Sequence, residues 1–136
     1  MIEYRRTFPV TMDSVDAVGI VFFGAYWNWY ESAFEGFIAE ASGMTWSELL
    51  ESGLAMPTVH AEIDYVQPLR LSDEVTVVMR LVRVGERSAH FQARFLDGEG
   101  ETVADASTVN VVSSRELGSI KMPNWLAAVV EEEAPK

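Results

Sequence analysis

One stripe of residues limits what this chain can fold into more than any other feature. From Tyr26 onward, Tyr26, Trp29, Tyr30, Ala33, Phe34, Phe37, Ile38 and Ala41 recur at i, i+3, i+4, i+7 spacing, while Asn28, Glu31, Ser32, Glu35 and Glu40 fall off the stripe. The spacing predicts a long helix from Tyr26, closed at Gly43, with one broad aromatic face to bury. Each such side chain contributes roughly 1.5–3 kcal/mol when fully buried. A helix of this kind is expected to sit at the centre of the fold.

The flanking segments supply the surface it needs. Ile2 to Val10 has the length and β propensity of a strand, and Thr11 to Gly19, with two aspartates, a serine and a glycine, reads as a loop. Thr45-Trp46-Ser47-Glu48 has the form in which Thr and Glu cap each other's backbone amides, so a short second helix to about Glu51 is expected. From Ala55 to Val66, Val59, Ala61, Ile63 and Tyr65 alternate with His60, Glu62 and Asp64, which predicts a strand with one wet or functional face. Pro68 interrupts. Val75 to Val84, Ser88 to Phe95 and Thr102 to Ser113 follow, joined at Gly85-Glu86-Arg87 and at Asp97-Gly98-Glu99-Gly100, and these short turns predict an antiparallel meander. Pro123 precedes a short helix expected over Trp125 to Glu132. Strands that run after a helix, without βαβ alternation, point to an α+β fold: an antiparallel sheet of about five strands laid against one helix, with residues 1–136 as a single domain.

Composition excludes several functions. The 136 residues carry 10 basic and 21 acidic side chains, and the formal net charge of −11 opposes general attraction to nucleic acid or to an anionic membrane. No apolar run approaches the roughly 18–20 residues that a bilayer span needs. The first residues lack an apolar signal core and the chain has no cysteine, so a cytoplasmic setting is expected. A thiol nucleophile is excluded, and His60 and His90, thirty positions apart, leave no ligand pair for a metal. No nucleophile elbow, dinucleotide fingerprint or Walker loop occurs, and Gly98-Glu99-Gly100 sits between acids as a turn.

What remains is Asp13 and Asp16, in a loop that runs into the long helix. Aspartate before a helix caps orphan amides and suits the macrodipole, and spacing alone favours that role. The same helix start can also offer its free N–H groups to a substrate oxyanion. A carboxylate beside an anion-binding helix start makes two parts of an acyl-transfer site.

Asp16-Ala17-Val18-Gly19-Ile20-Val21-Phe22-Phe23-Gly24-Ala25-Tyr26, followed by Trp29-Tyr30-Glu31, resembles the signature of hotdog-fold acyl-CoA thioesterases of the 4-hydroxybenzoyl-CoA thioesterase family. Tyr65-Val66-Gln67-Pro68 leading to Asp73, and Met122-Pro123, resemble later segments of that family. The resemblance implies a sheet wrapped around one helix, and homodimers or homotetramers with active sites at the dimer interface. It puts the catalytic carboxylate on Asp16 and the oxyanion-binding backbone amide on Phe23, and leaves Asp13 as a turn or cap residue. Gly19 would shape the turn that aims the helix start, Tyr26 an acyl pocket, and Glu31 an acidic position near the substrate. His60 enters because similar sequences run this strand along the active site, and Arg87 because the family often places a basic residue there for the nucleotide end of CoA. Asp16 would attack the thioester carbonyl or position a water, and no cofactor is implied, CoA being part of the substrate. Carrier-protein thioesters are an alternative substrate, and a non-catalytic acyl-CoA-binding dimer is the reading from another class.

Overall fold

The computed structural model describes residues 2–130. In chain order it contains β1 (Glu3–Pro9), α1 (Ala25–Ser42), α2 (Trp46–Glu51), β2 (Leu54–Ala55), β3 (Thr58–Tyr65), β4 (Glu74–Val84), β5 (Ser88–Leu96), β6 (Thr102–Val111), β7 (Ser113–Ser114), β8 (Gly118–Ser119) and α3 (Asn124–Ala127). Five strands form one antiparallel sheet in the order β1-β4-β5-β6-β3, and β2-β7-β8 form a small second sheet. The two strands that flank the helices in sequence therefore lie at opposite edges of the large sheet, and α1 crosses the face between them.

Register shows how that face is made. Val77 lies opposite Phe95 and Phe95 opposite Ala104; Met79, Ala93 and Ala106 form the next row, and Leu81, Phe91 and Thr108 the third. All nine are buried. Against them α1 buries Ala25, Tyr26, Trp29, Tyr30, Ala33, Phe34, Phe37 and Ile38, the residues of the predicted stripe up to Ile38 with Ala25 added. Phe91 meets Phe34 and Phe37 edge-on, at centroid distances of 5.2 and 5.6 Å, the geometry that ring quadrupoles favour. The Tyr30 hydroxyl shares a hydrogen bond with Thr108 across this layer, so the helix brings no unpaired hydroxyl into the core there. Burial raises the Tyr30 pKa well above that of an ordinary phenol.

Local signals placed the helix ends. Gly43 adopts φ 71° and donates to the Ala39 carbonyl, a left-handed cap that suits glycine, and Thr45 and Glu48 form the reciprocal capping box. The strand expected from Ala55 is divided instead: Leu54–Ala55 pairs with β7, and β3 begins after Pro57. β3 is also exposed on both faces apart from the half-buried Ile63, because it is an edge strand. The last run ends at Val111, after which Val112 donates to the Arg87 carbonyl and the chain turns into the small sheet. The tail helix is the short α3; residues 131 and 132 of the expected helix lie outside the described residues.

Gly36 marks a close approach between α1 and β1. A Cβ there would overlap the Tyr4 ring and hydroxyl. Gly36→Ala would gain about 1 kcal/mol from helix propensity alone, but it has to displace a rigid side chain, an overpacking that typically costs about 1–3 kcal/mol. The expected result is a lower urea midpoint, recovered when Tyr4→Leu is added. A midpoint raised by Gly36→Ala alone would contradict the contact.

Candidate active site

The segment between β1 and α1 is more ordered than its composition suggests. A short 3-10 turn, Met12–Ser14, leads into a tight hairpin in which Val15 bridges Val21. Asp16 sits at its turn. Its backbone N–H donates to Ile20 (2.8 Å), its carbonyl accepts from Gly19 (3.0 Å), and its Oδ1 accepts from the N–H groups of Val18 (3.0 Å) and Ile20 (3.1 Å). Gly19 closes the turn at φ 79°, a conformation that L side chains rarely adopt. Asp16 therefore holds its own turn rather than capping the start of α1, the role that spacing favoured, and it does so with one oxygen only. Oδ2 has no donor among the described residues, and the side chain is exposed. Asp13 accepts from Thr11 Oγ1 at 2.5 Å, a local turn contact.

Residues 69–73 hold the hairpin from the other side. Val21 donates to Leu69 (2.9 Å), Leu71 to Gly19 (3.0 Å), Ser72 to Val10 (3.1 Å) and Val10 to Asp73 (2.9 Å). Asp73 folds this segment by accepting from the Arg70 N–H at 2.9 Å, and Ser72 takes φ 77° there. The hairpin then enters α1. Phe22 donates to Ser14 (3.2 Å) and Ala25 to Phe22 (3.1 Å), whereas the Phe23 and Gly24 N–H groups have no acceptor among the described residues. No side chain caps the helix, and the Phe23 side chain is 74 % exposed. Two consecutive free N–H groups at the positive end of an 18-residue helix form an anion-binding start.

A groove of about 330 Å³ opens beside this point, lined among others by Ile20, Phe23, Tyr26, Tyr65 and Gln67. Tyr26 forms its base rather than a mobile wall: it is 3 % exposed and packs edge-on against Trp29, Phe95 and Tyr65. Its pKa is raised by burial and, secondarily, by Tyr65. The Tyr65 hydroxyl donates to the Phe23 carbonyl at 3.2 Å. Sequence reasoning passed over this residue; the alternation of β3 set Tyr65 on the face of Ala61 and Ile63, but period alone carries no information on what its hydroxyl meets.

The other expected site residues lie elsewhere. Glu31 is exposed about two turns further along α1. It lines a separate groove of about 300 Å³ with Phe34, Glu35, Trp46, Leu54 and Met56. His60 stands opposite Val109 and Glu62 opposite Ser107, in alternation with Ala61 and Ile63, whose partners Thr108 and Ala106 are buried under α1. It therefore belongs to the outer face of the sheet, where it pairs with Glu62 at 3.1 Å and shares a groove of about 400 Å³ with Arg83 and His90. The structure does not bring it to Asp16. The pKa of His90 is lowered by burial and by the neighbouring Arg83. Arg87 is tied to the small sheet, donating to the Ser119 carbonyl at 3.0 Å, with Glu86 at 3.9 Å. No group of three or more His, Asp or Glu among the described residues is arranged to hold a metal ion, and none of the described helices is long and apolar enough to cross a membrane.

A five-stranded antiparallel sheet crossed by one long helix defines a hotdog-fold protein. The sequence profile of the thioesterase-like superfamily matches residues 10–130, and the chain belongs to that superfamily, a family of thioester hydrolases. A 1,4-dihydroxy-2-naphthoyl-CoA hydrolase of Crocosphaera subtropica is 25 % identical over 130 residues, covering 90 % of this chain and 93 % of the relative. The structure of BH1999, a gentisyl-coenzyme A thioesterase, superposes with a TM-score of 0.82 at 25 % identity, covering 90 % of this chain and 98 % of the other. The dynemicin thioesterase, which binds a polyene, gives a TM-score of 0.82 at 25 % identity with 95 % of each chain covered.

Proposed function

We propose that this protein hydrolyses an acyl-CoA thioester to the free acid and CoA, with aromatic acyl groups preferred and Asp16 as nucleophile or general base. The observation that carries the reading is the divided carboxylate of Asp16: one oxygen is fixed by two amides and the other is open, on the hairpin that leads into a helix start with two free N–H groups. As nucleophile, the open oxygen attacks the thioester carbonyl, CoA leaves as thiolate, and water cleaves the resulting anhydride. As general base, it takes the proton of the water that attacks. In both routes negative charge grows on the carbonyl oxygen, where the Phe23 N–H is the proposed donor; one such donor is worth on the order of 10²–10³ in rate. A thiolate is a stable leaving group, so no further acid is required.

Aromatic acyl groups are supported by two similar proteins, a 1,4-dihydroxy-2-naphthoyl-CoA hydrolase and a gentisyl-coenzyme A thioesterase, and by the resemblance of Asp16 to Glu31 to the signature of 4-hydroxybenzoyl-CoA thioesterases. The apolar groove edged by Glu31 suits a hydroxylated ring. Because Glu31 lies two turns from Phe23, the acyl and catalytic parts are proposed to meet between two copies of the chain. Phe23, Val59 and Val66 are 74, 61 and 63 % exposed on or next to the β3 edge strand, an apolar surface that suits burial against a second copy. The proposal needs no cofactor and places the reaction in the cytoplasm.

A thiol-release assay over benzoyl-, 4-hydroxybenzoyl- and 1,4-dihydroxy-2-naphthoyl-CoA, with short and long linear acyl-CoAs beside them, tests the reading. The expected result is the highest kcat/KM on an aryl-CoA, from a dimer or tetramer by light scattering. Binding without thiol release across the whole series would show an acyl-CoA-binding protein instead. A second reading is hydrolysis of an acyl chain held on a carrier protein; matched acyl groups on CoA and on a carrier protein separate the two.

A further inference from the structure

We infer that Tyr65 is a positioning residue for this hydrolysis, holding the Phe23–Gly24 peptide so that the free N–H groups at the start of α1 point at the reacting carbonyl. The inference rests on the proposed thioesterase reading. Phe22 and Phe23 are 41 and 74 % exposed, so packing of their own side chains leaves this peptide largely unheld. Nor does the helix ladder take the Phe23 carbonyl: the Trp27 N–H, its usual partner, donates to Gly24 at 3.2 Å instead. The contact that remains is the 3.2 Å hydrogen bond from the Tyr65 hydroxyl.

That hydroxyl stands on a firm base. The Tyr65 ring packs edge-on against Tyr26 at 5.1 Å, and Tyr26 is wedged between Trp29 and Phe95 in the core. Core packing is thereby transmitted, through two rings and one hydrogen bond, to a backbone segment on the surface. The bond also acts on electronics. A peptide whose carbonyl accepts a hydrogen bond has a more polarised N–H, and in the Phe23–Gly24 peptide that N–H belongs to Gly24. Gly24 thus becomes a second donor next to Phe23, which lines the same groove as Tyr65. Burial raises the Tyr65 pKa above its ordinary value, so the hydroxyl stays a donor at neutral pH.

Tyr65→Phe removes the hydroxyl and keeps the ring contact. With 1,4-dihydroxy-2-naphthoyl-CoA as probe, the expected result is a fall in kcat of about five- to tenfold, the worth of one net hydrogen bond, with KM and Tm unchanged. In a 15N-labelled protein the Gly24 amide resonance is expected to move upfield, a shift that a distant structural effect would not produce alone. Unchanged kcat with an unmoved Gly24 resonance overturns the inference and leaves the thioesterase reading standing. A fall in Tm with a rise in KM of similar size also overturns it, in favour of simple support of the edge strand. Absence of thiol release by the wild-type protein removes the reading and the inference together.

Discussion

Asp16→Asn is expected to leave the fold intact and to lower kcat by about 10²–10⁴-fold, the contribution of a positioned base, or more if Asp16 is the nucleophile. Asparagine suits this position because Asp16 carries two jobs on two atoms. Oδ1 accepts from Val18 and Ile20, and the amide oxygen of asparagine can accept the same two bonds. The open oxygen becomes an NH₂ group, which neither attacks a carbonyl nor takes a proton. Asp16→Ala should lose the turn as well, so a fall in Tm is expected in that variant and not in Asp16→Asn. Turnover by Asp16→Asn within a few-fold of the wild type would exclude both catalytic roles. In the wild-type protein, a single turnover in ¹⁸O water identifies the nucleophilic route when water cleaves the anhydride at the Asp16 carbonyl: ¹⁸O then enters Asp16 and the product carries an Asp16 oxygen, whereas a general base puts solvent oxygen in the product and none in Asp16.

The largest effect on stability is expected from Phe91→Ala. Phe91 is 1 % exposed, lies opposite Leu81 and Thr108 in the sheet, and receives the rings of Phe34 and Phe37 from α1. Truncation removes the surface on which the helix stripe rests and leaves a cavity between two layers. Such changes cost about 3–5 kcal/mol, against a total stability of roughly 5–15 kcal/mol for an ordinary domain. Urea unfolding should show the midpoint falling accordingly. If the alanine variant does not accumulate, Phe91→Leu should still lose about 1 kcal/mol. A loss well under 1 kcal/mol for alanine would mean that helix and sheet are held together elsewhere.

The parts of the fold written in local chemistry were legible in the sequence. The aromatic stripe has the helical period, and the Thr45–Glu48 box and Gly43 stop act within a few residues, so their outcome does not depend on the remainder of the chain. The two-residue strands β2, β7 and β8 have no period to read and exist only because distant segments meet. Alternation in β3 separated Tyr65 from His60 by face, but alternation cannot say which face meets the helix or that the strand lies at an edge. His60, a candidate because its strand was expected to run along the active site, stands on the outer face of the sheet, away from α1. For Asp16 spacing favoured a helix cap over a catalyst, but the side chain holds its own turn with one oxygen and leaves the other open, a division that spacing cannot express.

The four backbone hydrogen bonds between the Asp16 hairpin region and residues 69–73 also bear on folding kinetics. β4, β5 and β6 are joined by short turns, whereas β1 pairs with β4 across most of the intervening chain, with Tyr4 opposite Met79. Closing so long a loop is entropically costly and tends to come late, after the local hairpins have formed. The hairpin follows β1 and is clasped by the segment that precedes β4, so it is completed in the same closing event. A partly folded chain in which the meander has formed but β1 has not docked would therefore contain much of the core and none of the assembled site.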